Sequence, residues 1–166
     1  MSDVNIAEFD EVEKVLTQYI VVRIGSEKYG IDIGYVDNIV RMQKITKVPM
    51  AQDYFAGIIN LRGEIVPVMS IRKKMGLSED VFTGKSRIII LKVEERGNLG
   101  IIVDEVREVI TLSEDDIEKV SNGASTHGTH KQSFINGIGK NGEELISLFE
   151  INDIISEKEN SSSSNN

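Results

Sequence analysis

Four short segments of this 166-residue chain carry residue types that do chemistry in other proteins. His127 and His130 stand three apart in a small-polar run over residues 121–130. Two imidazoles could share a metal, but no further ligand accompanies them, and a catalytic histidine needs rigid supporting contacts that such a run does not offer. Gly84-Lys85-Ser86 resembles the end of a phosphate-binding loop. That loop needs an earlier glycine where Glu79 stands and a helix where residues 87–93 read as a strand, so the match fails twice. Glu114-Asp115-Asp116 has neither the alternating ligands nor the glycine of a calcium loop. No catalytic residue, metal or cofactor is therefore expected. Arg62 differs because of its place in Leu61-Arg62-Gly63-Glu64, a turn between two β-prone runs. Its side chain must leave the hairpin tip toward solvent, where a planar five-donor fork is available to a partner.

The elements that position this turn are strands. The chain holds 24 Ile and 16 Val and no Trp, and β-branched side chains suit a pleated surface better than a helix. Residues 19–24 and 29–33 form a hairpin signal around Gly25-Ser26-Glu27-Lys28, and residues 58–61 and 64–68 form a second around Arg62-Gly63. Val36, Ile39 and Val40 follow an i, i+3, i+4 spacing that fits one turn of helix or a bent strand equally well. Ser70 is placed to cap a short helix over 71–75 that Gly76 ends, and Ile151, Ile154 and Ile155 give a second short helix over 151–158 an apolar stripe.

The second half of the chain replays the first. An offset of 70 places Ile20-Val21 on Ile90-Leu91, residues 29–33 on 99–103, and Val36, Ile39 and Val40 on Val106, Val109 and Ile110. Further on an offset of 80 places Tyr54 on Phe134, Gly57-Ile58 on Gly137-Ile138, and residues 64–71 on 144–151. The ten-residue step matches the run 121–130, read as an inserted flexible loop. At offset 80 the counterpart of Arg62 is Gly142, inside Lys140-Asn141-Gly142-Glu143, read as an Asn-Gly hairpin turn. The same turn is thus made without arginine, so the turn itself does not require one. Two similar small β-barrels packed together is the expected architecture.

Composition removes several function classes. With 19 Lys and Arg against 27 Asp and Glu, the net charge is −8, and no basic run interleaved with aromatics is present, so nucleic acid is excluded as a partner. The absence of cysteine excludes disulfides and thiolate chemistry and fits a reducing compartment. The longest apolar run, 88–91, is far below the ~20 residues that span a bilayer, so no direct membrane insertion is expected. The acidic start is the reverse of a signal peptide, and the protein reads as soluble and cytoplasmic. An acidic segment (1–18) precedes a domain over 19–155, with barrel halves near 19–83 and 84–155 between which strands could exchange. A polar tail, 156–166, is expected to be disordered.

The string Gly57-Ile58-Ile59-Asn60-Leu61-Arg62-Gly63-Glu64-Ile65-Val66-Pro67-Val68 resembles the signature of the CheW family of chemotaxis coupling proteins. Tyr29-Gly30-Ile31-Asp32-Ile33 with Val36 and Ile39, Gly100-Ile101-Ile102-Val103-Asp104 with Val106 and Val109, and Gly137-Ile138 resemble its other landmarks in order. The resemblance implies a mainly β fold of two five-stranded Src-homology-3-like barrels with short helices after each. It implies a non-catalytic adaptor that joins the cytoplasmic tip of methyl-accepting chemoreceptors to the regulatory domain of the histidine kinase CheA, recruited to membrane receptor arrays. By motif position it makes Gly57, Asn60, Leu61, Arg62 and Gly63 partner-contacting or partner-shaping residues. It places Val36, Asn38 and Ile39 toward the kinase, and Val103, Val106 and Val109 near the receptor-facing groove. Asn38 stands where many relatives carry glutamate, and Ser70-Ile71-Arg72 where an Asp-Leu-Arg run is common. Two rival readings are a coupling module of another receptor-kinase array and, from a different class, a small β-barrel enzyme using surface carboxylates. Two close carboxylates with raised pKa values in a cleft would favour the enzyme.

Overall fold

In the computed structural model, which describes residues 14–95, 97–120 and 134–156, eleven strands form two sheets. The strands are β1 (Leu16–Ile24), β2 (Glu27–Asp32), β3 (Val36–Arg41), β4 (Phe55–Leu61), β5 (Glu64–Ser70), β6 (Arg87–Val93), β7 (Gly97–Val103), β8 (Glu105–Ser113), β9 (Ile117–Lys119), β10 (Ile135–Asn141) and β11 (Glu144–Phe149). Two short helices, α1 (Ile71–Lys74) and α2 (Ile151–Ile155), follow β5 and β11. Ser70 caps α1 as its sequence position requires, its Oγ accepting from Lys73 N at 3.2 Å. The ambiguous segment after Ile33 resolves as a 3-10 turn, Ile33–Tyr35, leading into β3. The first strand begins at Leu16, three residues before the expected boundary, because Leu16, Thr17 and Gln18 pair with Ser113, Leu112 and Thr111 of β8. The histidine-bearing loop, most of the acidic start and the polar tail lie outside the described residues.

One sheet has the order β8-β1-β2-β11-β10-β9 and the other β3-β6-β7-β5-β4. Neither half of the sequence holds a whole sheet. The β1–β2 hairpin of the first half joins β8–β11 of the second, while the β6–β7 hairpin of the second half joins β3–β5 of the first. The exchange is reciprocal, with antiparallel β3–β6 matching β8–β1 and parallel β5–β7 matching β11–β2.

This arrangement buries both faces of the exchanged hairpins. On β6, Ile88 and Ile90 pack with Ile59, Val66, Val68 and Ile102 inside their own sheet, while Ile89 and Leu91 pack with Ile20, Val22, Ile31, Ile101 and Val103 in the core shared between sheets. Val21, Ile110, Leu112, Ile146 and Leu148 fill the interior of the other sheet. Strands buried on both sides have no polar face, which is why 88–91 reads as an unbroken apolar run.

The structure corrects the repeat in the first strand. Leu91 pairs with Val36 and Val22 with Val106, so Val22 is the equivalent of Leu91 and the offset there is 69. The offset becomes 70 after the turn, because Glu94, Glu95 and Arg96 separate β6 from β7 where only Gly25 and Ser26 separate β1 from β2. A one-residue slip exchanges the two faces of a strand. At offset 70, Val21 of a sheet interior would fall on Leu91 of the shared core.

Candidate partner-binding surfaces

The β4–β5 hairpin closes at the Leu61–Glu64 pair, leaving Arg62 and Gly63 as a two-residue loop with φ of 55° and 85°. Positive φ at both central residues matches the right-handed twist of the flanking strands, and the position costs a non-glycine residue about 1–2 kcal/mol. Asn60 braces the loop, its Oδ1 accepting from Gly63 N at 2.9 Å. Leu61 is half-buried against the sheet interior, while Arg62 is exposed and pairs with no described residue.

In the second half the closing pair is Asn141–Glu144, so the loop is Gly142-Glu143 rather than the expected Asn-Gly. Gly142, with φ 65°, is the only one of the two with positive φ. The glycine therefore occupies the position of Arg62, and the strained conformation has been kept on an arginine only in the first half.

Gly57 serves the same hairpin from beneath. It is buried with φ 142°, and a Cβ there would lie 2.2 Å from Thr46 O. Thr46 and Ile58 exchange two backbone hydrogen bonds across that contact, at 2.9 and 2.8 Å. Its place is to let the 45–46 segment lie against β4.

Of the remaining expected site residues, all but Val103 fall on the two sheet edges β3 and β8, which are equivalents in the repeat. Val36, Ile39 and Val106 are partly buried against the shared core, so these two edges rim one apolar body. Both edges carry a bulge, at Asp37 and Arg107. Asn38 is half-buried and its Oδ1 accepts from Ile39 N at 2.8 Å, a bond within its own strand. Val109 is 52% exposed. Val103 departs from the expectation: it is fully buried in the shared core, because alternation along β7 turns Ile101 and Val103 to that side and Ile102 to the sheet interior. It offers a partner no surface.

Sequence reasoning missed the ionic joint between these surfaces. Asp104, between β7 and β8, accepts from Arg72 of α1 through both carboxylate oxygens, from Nε at 3.2 Å and from Nη2, and from Gly25 N at 2.8 Å. One carboxylate thus joins the β1–β2 turn, α1 and the β7–β8 corner. Burial pushes the Asp104 carboxyl up, but the Arg72 fork, the Gly25 N–H and the Arg23 charge outweigh it and hold the group below the usual range. The same fork raises the Arg72 guanidinium further. Nothing in sequence spacing joins residues 72 and 104.

Lys74, nearly buried, donates to the carbonyls of Ile154 and of Ser156 (3.1 Å), with Nζ 4.7 Å from the Tyr54 ring centroid. It fastens the end of α2 to α1. Burial raises the Asp80 carboxyl, while its neighbour Asp104 is locked in the Arg72 fork and held low. That is not the pair of poised acids an enzyme would need. Among the described residues no cluster of three or more His, Cys, Asp or Glu is placed to hold a metal ion, and no helix is long and apolar enough to cross a membrane.

The family model described as the CheW-like domain matches residues 18–159. The chain belongs to the CheW family. Relatives in that family include the chemotaxis protein CheW of Bacillus subtilis, 35% identical over 144 residues that cover 87% of this chain and 89% of that protein. The chemotaxis protein CheW of Treponema pallidum is 33% identical over 148 residues, covering 86% and 84%. The crystal structure of the scaffolding protein TtCheW from Thermoanaerobacter tengcongensis superposes with a TM-score of 0.73 at 33% identity, covering 82% of this chain and 90% of that one. The mainly β CheW fold and the resemblance carried by residues 57–68 are thereby established.

Proposed function

We propose that this chain is a non-catalytic adaptor that couples the cytoplasmic tip of methyl-accepting chemoreceptors to the regulatory domain of the histidine kinase CheA. It works in the cytoplasm, at membrane receptor arrays. The observation that carries the reading is Arg62. An exposed arginine that pairs with no described residue is held in a left-handed conformation by a braced turn, while the equivalent turn in the other half uses glycine. Backbone strain kept on a residue with no internal partner is characteristic of a contact residue.

Asn60, Leu61 and Gly63 shape that contact, and Gly57 supports it. The β3 edge, with Val36, Asn38 and Ile39, faces the kinase, and the β8 edge, with Val106 and Val109, faces the receptor. Open sheet edges rimming an apolar body suit a partner's strand or amphipathic helix. With Asn38 in place of a carboxylate, the kinase contact there is neutral.

The test is titration calorimetry of the full chain with a receptor signalling tip and with a kinase regulatory domain, separately and together. Binding to both is expected, and Arg62→Ala should weaken assembly while leaving the fold intact. Failure of the unmodified chain to bind either fragment would overturn the adaptor reading, and unchanged binding by the variant would remove Arg62 from it.

A further inference from the structure

Away from the two edges and the Arg62 tip, a cavity of about 690 Å³ lies where the segment between β3 and β4 meets residues 79–82, which follow α1. That volume is within the range of ligand pockets. Its floor includes Ser70 and Ile102, cross-strand partners at the ends of the parallel β5–β7 pair, each 2% exposed. Its rim is apolar and in solvent, with Met50 102% and Phe82 55% exposed. Exposed apolar side chains gathered around one concavity mark an interaction site more often than scattered ones do.

Asp80 lines this cavity in an unusual state. Its Oδ2 accepts from Ser70 Oγ, while its Oδ1 is buried and is the one buried side-chain nitrogen or oxygen among the described residues without a hydrogen-bond partner. The nearby cations are engaged elsewhere, with Arg72 forked onto Asp104 and Lys73 3.8 Å from Glu79. Two lysines and three carboxylates line the cavity, which leaves it net negative. Burial, the largest influence on Asp80, raises its pKa, as expected of a carboxylate that lacks a full complement of donors.

We propose that this cavity docks an arginine side chain presented between apolar residues on a segment of a partner protein, the guanidinium donating to Asp80 and the flanking side chains covering Met50 and Phe82. A planar cation with several donors matches a buried carboxylate oxygen, and the apolar rim matches the neighbours. The inference stands apart from the adaptor reading, since it needs neither receptor nor kinase.

The test is fluorescence polarisation of the full chain with a labelled nine-residue peptide, Gly-Ser-Leu-Leu-Arg-Ile-Leu-Ser-Gly, and with its glutamine counterpart in place of arginine. The arginine peptide should bind about tenfold or more tightly than the glutamine peptide, the usual worth of a charge-assisted hydrogen bond. Asp80→Asn should abolish that preference. Met50→Ser, at a side chain that packs against nothing, should weaken both peptides alike without disturbing the fold. Equal affinity for the two peptides, or a preference that survives Asp80→Asn, would overturn the proposal. So would n-butylguanidinium binding as tightly as the arginine peptide, which would make the cavity a small-cation site.

Discussion

Replacing Arg62 by glycine should make the protein more stable and a poorer binder. Arg62 has φ 55° in a loop where its counterpart Gly142 has φ 65°, and it makes no hydrogen bond or ion pair with a described residue that the substitution would lose. A left-handed non-glycine residue costs about 1–2 kcal/mol, and the greater freedom of glycine in the unfolded chain returns about 0.4–1 of that, leaving a net gain of roughly 1 kcal/mol. In urea, with a slope of about 1–3 kcal/mol per molar, the midpoint should rise by roughly 0.3–1 M at unchanged slope. The reciprocal variant Gly142→Arg should lose roughly 1 kcal/mol by the same arithmetic, since it installs the same strain without the Asn60 brace. Calorimetric titration with the receptor tip and the kinase regulatory domain completes the assay, where Arg62→Gly should lose affinity while Gly142→Arg gains none. A lower midpoint for Arg62→Gly, or a neutral Gly142→Arg, would refute the strain argument. Full binding by Arg62→Gly would refute the claim that the strain is kept for a partner.

Gly57→Ala should cost more than 3 kcal/mol or prevent folding, because its Cβ meets Thr46 O at 2.2 Å in a backbone conformation that alanine avoids; chemical denaturation reads this directly. Asp104→Asn should cost about 2–4 kcal/mol at pH 7, since it leaves the Arg72 charge half-buried without its fork. The folded carboxyl is held low, so its contribution is complete above the unfolded pKa near 3.9 and is lost as pH falls through the lower folded value. The difference between the two proteins should therefore be constant from pH 7 down to about 4 and shrink as the pH falls below the unfolded pKa of about 3.9, and a difference that stays constant through that value in urea melts would contradict this. Fragments 14–83 and 84–156 should each be unstructured alone and regain strand signal in circular dichroism on mixing, because neither holds a complete sheet. A folded fragment on its own would show that the exchanged hairpins are dispensable.

The reciprocal exchange bears on how an adaptor of this size can work. Each sheet is completed by a hairpin from the other half, and the shared core, the Asp104 joint and the Lys74 latch all lie between the sheets. With the proposed kinase and receptor edges on one body, bound partners would be held in a fixed geometry, which flexible linkage would not do.

Much of this was legible in the residues. The β-branched composition, the Arg62-Gly63 hairpin turn, the Ser70 cap and the order of repeated landmarks are local features, set by φ preferences, side-chain branching and hydrogen bonds within a few residues, and the structure keeps them. Arg62 could be singled out because a tip residue must point outward and because the second half offered a glycine for comparison. The offset of 69 could not be read, since strands buried on both faces carry no polar alternation to fix their register. For the same reason Val103 looked no different from Val106, and only the facing of β7 toward the shared core decided that one is buried and the other stands at an edge. The Arg72–Asp104 fork, the unpartnered oxygen of Asp80 and the exchange of hairpins all join residues far apart in the chain. Sequence settles what each short segment prefers. Which segments meet is settled by the one packing that buries both faces of two hairpins at once, and tertiary structure alone contains that.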